Sequence, residues 1–218
     1  MNHLFYSLFL ALKYPATLFM IGNTFLALYK AGPFGFYANV FITFLVFFAK
    51  FIEIYFRKKI GVPFIVLAVV NIFTAISIEL DLLEISSFFS MNIDVIASHI
   101  AAGAFIFWAI GHFFVSEHQR NGTQASNFFH NPQFFYGISD IVSIHALGTV
   151  NWYSLPFALF GLFKTIFTKY SEYLSFLTPA QLYAISYVVG IYFALDSLSF
   201  VFAQLFLALA YLQFKKYA

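Results

Sequence analysis

Long apolar runs separated by short polar intervals organise this chain, and within the runs apolar residues follow one another without alternation, as in Val62 to Val70. Transmembrane strands need residue-by-residue alternation, whereas a helix crossing a hydrocarbon core of about 30 Å needs about 20 consecutive apolar residues. The runs therefore predict helical spans at about 4–28, 36–56, 61–78, 93–115, 134–150 and 180–214, with a polar loop at 116–133. The first run contains Lys13 and Pro15, and Ala31-Gly32-Pro33 leads straight into the next, so it reads as a retained segment rather than a cleaved leader.

Two stretches fit this scheme less well. Span 134–150 reaches across the core only if nearly untilted, while 180–214 is longer than one crossing needs and must tilt, protrude or break near Asp196-Ser197. Segment 153–176 is apolar but interrupted by Pro156, Lys164, Lys169 and Glu172, which predicts an interfacial or re-entrant helix, with a seventh crossing as the alternative. The expected fold is an all-α, polytopic membrane helix bundle forming one domain of about six spans.

Composition strengthens this reading. Of 218 residues 62% are hydrophobic and 9% charged, against about 25% charged in an ordinary soluble domain. Mean hydropathy is +0.85, and the 34 Phe and 14 Tyr suit a lipid-facing surface with interfacial aromatic belts. The absence of Cys removes disulfides, thiolate metal ligands and thiol nucleophiles together. A net charge of +2 spread over span ends offers no basic patch, so nucleic acid is not an expected partner; the expected partners are the lipid bilayer, other membrane subunits or a second copy.

Lys and Arg placement sets the expected orientation. Arg57-Lys58-Lys59 marks the cytoplasmic side, and no Lys or Arg occurs between 60 and 119. Six spans then put Lys13, Arg120, Lys215, Lys216 and both termini in the cytoplasm, and the acidic stretch with Glu79, Asp81 and Glu84 outside. Lys30, Lys164 and Lys169 are discordant. The Asn121-Gly-Thr sequon falls on the cytoplasmic side, where it would not be glycosylated.

Ionisable residues inside a membrane cost about 2.5–3.5 kcal/mol to insert, which singles out a few positions. Glu53, three residues after Lys50 and four before Arg57, is expected to form an intrahelical ion pair. Asp140, with Ser139, Ser143 and His145 nearby, and Asp196, near the middle of the last run, are expected to share a polar seam that also draws in His99. A second pattern lies in the histidines. His99 and His112 are 13 apart on one span and His130 and His145 are 15 apart on or beside the next, so antiparallel helices would bring His99 to His145 and His112 to His130. Facing imidazoles at two depths are what two b-type haems or a metal would require, and the spacing resembles that of diheme cytochromes b. Against this, 13 residues on an ideal helix turn the two side chains about 140° apart.

No hydrolase, zinc-protease or phosphate-loop motif is present, so the expected role is not enzymatic. Three readings follow, in order. The chain moves a small solute, proton or cation through a polar seam between the later helices, binds haem b as a redox subunit, or serves as a non-catalytic accessory subunit of a larger membrane complex.

Overall fold

The computed structural model describes residues 3–58, 61–85, 93–122, 128–146, 153–167, 177–193, 195 and 197–214, with side chains at 29–35, 80–85, 93–98, 128 and 144–146 outside the description. The protein is an all-α membrane helix bundle. Its helices are α1 (His3–Leu12), α2 (Pro15–Tyr55), α3 (Val62–Ile85), α4 (Ile93–Asn121), α5 (Pro132–Ala146), α6 (Leu155–Ile166), α7 (Pro179–Phe193) and α8 (Leu198–Phe214), with a short 3-10 turn at Phe128–His130. No strand occurs among the described residues. Three stretches are long and apolar enough to cross a bilayer, Phe36–Tyr55, Val62–Glu79 and His99–Asn121, and a fourth is the bent pair His3–Leu12 and Pro15–Leu28.

α1 and α2 meet at 52°. Pro15 stands at the first helical position of α2, where a missing N–H costs nothing. The ring of His3 packs on Tyr55 at 5.3 Å, and Tyr14, just past the other end of α1, lies under the Lys50 ammonium. Tyr55 and Lys50 are only about 8 Å apart along their helix. α1 is thus bent across that end of the bundle relative to the first part of α2, burying Ser7 and Ala11 and exposing Phe5, Tyr6 and Phe9.

Within α2, Thr24 Oγ1 and Thr43 Oγ1 are 3.0 Å apart although 19 residues separate them, a distance of about 28 Å along a straight helix. The element therefore consists of two arms, 15–28 and 36–55, folded back on each other as the sequence anticipates. Gly32, Pro33 and Gly35 lie between them, and proline removes a helical donor. The first arm packs on α8, where Leu207 fills the space beside Gly22. Only 11% of the second arm is buried, so its Phe-rich face looks outward to lipid.

α3 packs on α4 and α4 on α5. α4 continues through Ser116 to Asn121, six residues into the stretch expected to be loop. Partners there explain the extension: the Ser116 hydroxyl donates to the Gly61 carbonyl at 2.8 Å, and the Tyr14 hydroxyl donates to Gln119 Oε1 at 2.6 Å. α3 likewise reaches Ile85, so Glu79, Asp81 and Glu84 lie on helix rather than in a loop.

The last run takes one of the three courses its length allowed, a break, which falls between Phe193 and Leu198. Residues 180–214 do not form one helix; α7 and α8 fold back on each other, pairing Tyr187 with Tyr211 at 5.6 Å between ring centroids and Gly190 with Gln204. The Ser197 hydroxyl accepts the Phe200 N–H at 3.4 Å and so caps α8. α6 covers part of the segment 153–176. It runs beside α5 and α7, burying Ala158, Gly161, Lys164 and Thr165, with Gly161 against the ring of Tyr183 and Leu162 beside Gly137.

These pairings gather Lys13, Lys50, Arg57, Arg120 and Lys164 at one end of the bundle. Glu53 is buried there, its carboxylate held by Lys50 Nζ at 3.0 Å and by the Val62 N–H at 3.1 Å. The latter takes the place expected for Arg57, which has left the helix with φ +54° and is exposed. The opposite end holds Glu79 and His99.

Candidate polar site in the bundle interior

α4 and α5 run antiparallel, and the pairing sets one side chain against another at three levels. Ser139 donates to the Ala104 carbonyl at 2.7 Å, Trp108 faces Asp140, and His112 faces Tyr136. Close approach requires Gly111, because a Cβ there would stand 2.7 Å from the Tyr136 ring. Trp108 is nine residues from His99 and thirteen from Asn121, about 14 and 20 Å along α4, which places Asp140 near the middle of the bundle.

The Asp140 carboxylate is fully buried. Its Oδ1 accepts three hydrogen bonds: from Tyr187 Oη at 2.6 Å, Tyr211 Oη at 3.0 Å and Trp108 Nε1 at 3.2 Å. Four helices, α4, α5, α7 and α8, thus converge on one oxygen. Oδ2 has no hydrogen-bond partner among the described residues. Ser143, one turn on, donates to the Asp140 backbone carbonyl at 3.0 Å and leaves Oδ2 untouched.

One level toward the basic end, His112 is buried among the rings of Phe19, Phe64 and Tyr136. Its Nδ1 shares a 2.8 Å hydrogen bond with Tyr136 Oη, and its Nε2 has no partner among the described residues. The ring of Tyr136 meets that of Tyr211 at 5.8 Å. Asp140 and Tyr211 thus form one hydrogen-bonded pair and Tyr136 and His112 a second, and the two pairs meet through the rings of Tyr211 and Tyr136 to make a packed row of carboxyl, phenol, phenol and imidazole. Every member can carry or exchange a proton, and Oδ2 and Nε2 are the two atoms with capacity to spare.

The other expected site residues lie elsewhere. His99 is at the acidic end, half-exposed, with Nδ1 2.7 Å from Glu79 Oε2. His130 is exposed and packs its ring on Phe114 at 5.6 Å, while His112 faces Tyr136, so these two imidazoles have different neighbours. His145 is on α5 with its side chain outside the described residues, and Asp196 falls outside them in the interval between α7 and α8. Among the described residues no group of three or more His, Asp or Glu is arranged to hold a metal ion. The sequence did not point to Trp108, Tyr136, Tyr187 and Tyr211, because in a chain so rich in aromatic residues four more carry no signal.

No family model matches the chain, and comparisons with curated proteins and with solved structures likewise return no match.

Proposed function

We propose that this protein moves a proton or a small cation across the membrane along the buried row that joins Asp140 to His112. The observation that supports the reading is that Asp140 Oδ2 and His112 Nε2 are buried without a partner among the described residues. The amide oxygens of Asn23, Asn71 and Gln133 are left unpaired among them too, but an amide does not take up or release a proton near neutral pH, whereas a carboxyl and an imidazole do. Each costs about 1–3 kcal/mol to leave unpaired. A contact serving only to hold helices together would be better built from groups that satisfy one another. With Oδ1 held by three donors, Oδ2 can take up or release a proton while the cage around Oδ1 stays closed.

A topology accompanies this reading. The two arms of α2 and then α3 to α8 alternate in direction, returning the chain to the end of the bundle where it began. Among the described residues Lys13, Lys50, Arg57, Lys58, Arg120 and Lys164 then lie at or next to that end, and the positive-inside bias makes it the cytoplasmic one.

The test is flux into proteoliposomes carrying a trapped pH-sensitive dye under an imposed pH or cation gradient. Wild-type protein is expected to dissipate the gradient faster than protein-free vesicles, and Asp140→Asn to lower the rate at least about tenfold while still eluting as a monodisperse species. An Asp140→Asn rate equal to wild type would sink the proposal.

A further inference from the structure

Between the two arms of α2 lies a cleft of about 370 Å³, bounded by Ile21 and Phe25 on one arm and Val40 and Phe44 on the other, with Leu12 at the end where α1 meets α2. Thr17, Thr24 and Thr43 also line it, but their hydroxyls already donate to the carbonyls of Ala11, Met20 and Asn39 at 2.8, 2.7 and 2.7 Å. An occupant of this slot is therefore held by apolar contact along its length. Leu12 and Phe44 are 52% and 57% exposed, so the slot opens on the outer, lipid-facing side of the bundle. Thr17 and Phe25 are eight residues apart, which makes it about 12 Å long in the direction of the arms.

Lys13 follows Leu12, the lining residue at the α1 end of the slot. Its ammonium lies 4.8 Å from the centroid of the Phe9 ring, and among the described residues no carboxylate lies within ion-pair distance of it. Because α1 crosses the end of the bundle, Lys13 sits at the same depth as Lys50, whose ammonium caps the neighbouring Tyr14 ring at 3.9 Å. Lys50 is paired with Glu53, whereas Lys13 has no carboxylate partner among the described residues. An apolar slot running along the arms, with a cation lacking a carboxylate at its interfacial mouth, matches the two ends of one molecule, an acyl chain and an anionic headgroup. A neutral lipid would fill the slot but leave the cation unanswered.

We propose that this cleft is a binding site for one anionic phospholipid, an acyl chain lying between the arms of α2 and the phosphate resting at Lys13. The site is separate from the Asp140 row, so the two proposals stand or fall independently.

Native mass spectrometry of the full chain in detergent, with phosphatidylglycerol or phosphatidylcholine of identical chains added, tests it. Wild type is expected to retain one phosphatidylglycerol under activation that strips phosphatidylcholine. Lys13→Gln should weaken phosphatidylglycerol retention about fivefold, the worth of one Lys at an anionic surface, and leave phosphatidylcholine unchanged. Ile21→Trp, which fills the slot, should lower retention of phosphatidylglycerol with Lys13 in place. Equal retention of the two lipids by wild type overturns the proposal. So does headgroup selectivity that survives Lys13→Gln, which would place the phosphate elsewhere, or retention indifferent to Ile21→Trp in a monodisperse sample, which would place the chain elsewhere.

Discussion

The hydroxyl of Tyr187 donates to Oδ1 of Asp140 across 2.6 Å, binding α7 to α5 between two fully or nearly fully buried side chains. Three donors depend on that oxygen, so the substitutions at this site are expected to rank. Asp140→Ala orphans Trp108, Tyr187 and Tyr211 at once and should destabilise most, by several kcal/mol at about 1–3 kcal/mol per unsatisfied group. Tyr187→Phe removes one donor of three and should cost about 1–2 kcal/mol. Asp140→Asn keeps an acceptor oxygen and should lie nearest to wild type. Thermal unfolding in detergent, followed by helical circular dichroism, reads the order; Asp140→Ala as stable as Tyr187→Phe would contradict it.

Tyr136 and His112 make a second pair whose loss should be felt in stability. Tyr136→Phe keeps the ring packed against Phe19 and Phe214 but leaves His112 Nδ1 without its partner, at a cost of about 1–3 kcal/mol. Tyr136→Phe combined with His112→Phe removes both polar groups and should recover part of that loss, because two apolar groups of similar shape leave nothing unsatisfied. A double variant less stable than the Tyr136→Phe variant would show that the pair is held by packing alone.

Gly61 joins α2 to α3 with φ +74°, and a Cβ there would lie 2.9 Å from the Ser116 carbonyl oxygen. Gly61→Ala incurs both the left-handed backbone penalty of about 1–2 kcal/mol and a clash with backbone that cannot move aside. Ser116→Ala loses one hydrogen bond to Gly61, worth about 1 kcal/mol. Midpoint temperatures of the two variants should therefore fall in that order, Gly61→Ala the lower.

Lys50 and Glu53 are both largely buried, with side chains 13% and 3% exposed. Glu53→Ala leaves the Lys50 charge without a carboxylate and the Val62 N–H without an acceptor, and should destabilise by about 3–5 kcal/mol. Glu53→Gln keeps the acceptor for Val62 and should cost less. A thermal-shift comparison in which both variants fall equally would mean that the Val62 hydrogen bond contributes nothing.

The chain has no Cys, so single cysteines can report topology without background. Positions 58, 120 and 215 are expected to react with a membrane-impermeant maleimide only in inside-out vesicles, and position 195, between α7 and α8, only in right-side-out ones. Labelling at 195 from the same side as 58 would reverse the placement of α7 and α8.

What the sequence by itself determined is the solvent and the material of the fold. Continuous apolar runs, few charges and basic residues at run ends suffice for an all-α membrane bundle, and Lys50 with Glu53 at i,i+3 was legible as a local pair. Locality is why: helix formation and short-range ion pairs depend on neighbours in the chain. The tertiary structure decided which helices pair and what they bring together. A helix apolar on every side has no polar stripe to say which face is buried, so the excess length of 180–214 allowed a break near Ser197 but did not say which faces of α7 and α8 would pair, and nothing distinguished Trp108, Tyr187 and Tyr211 from the other aromatic residues. Their meeting at Asp140 joins positions 32, 47 and 71 residues away in the chain, and only packing brings such positions together.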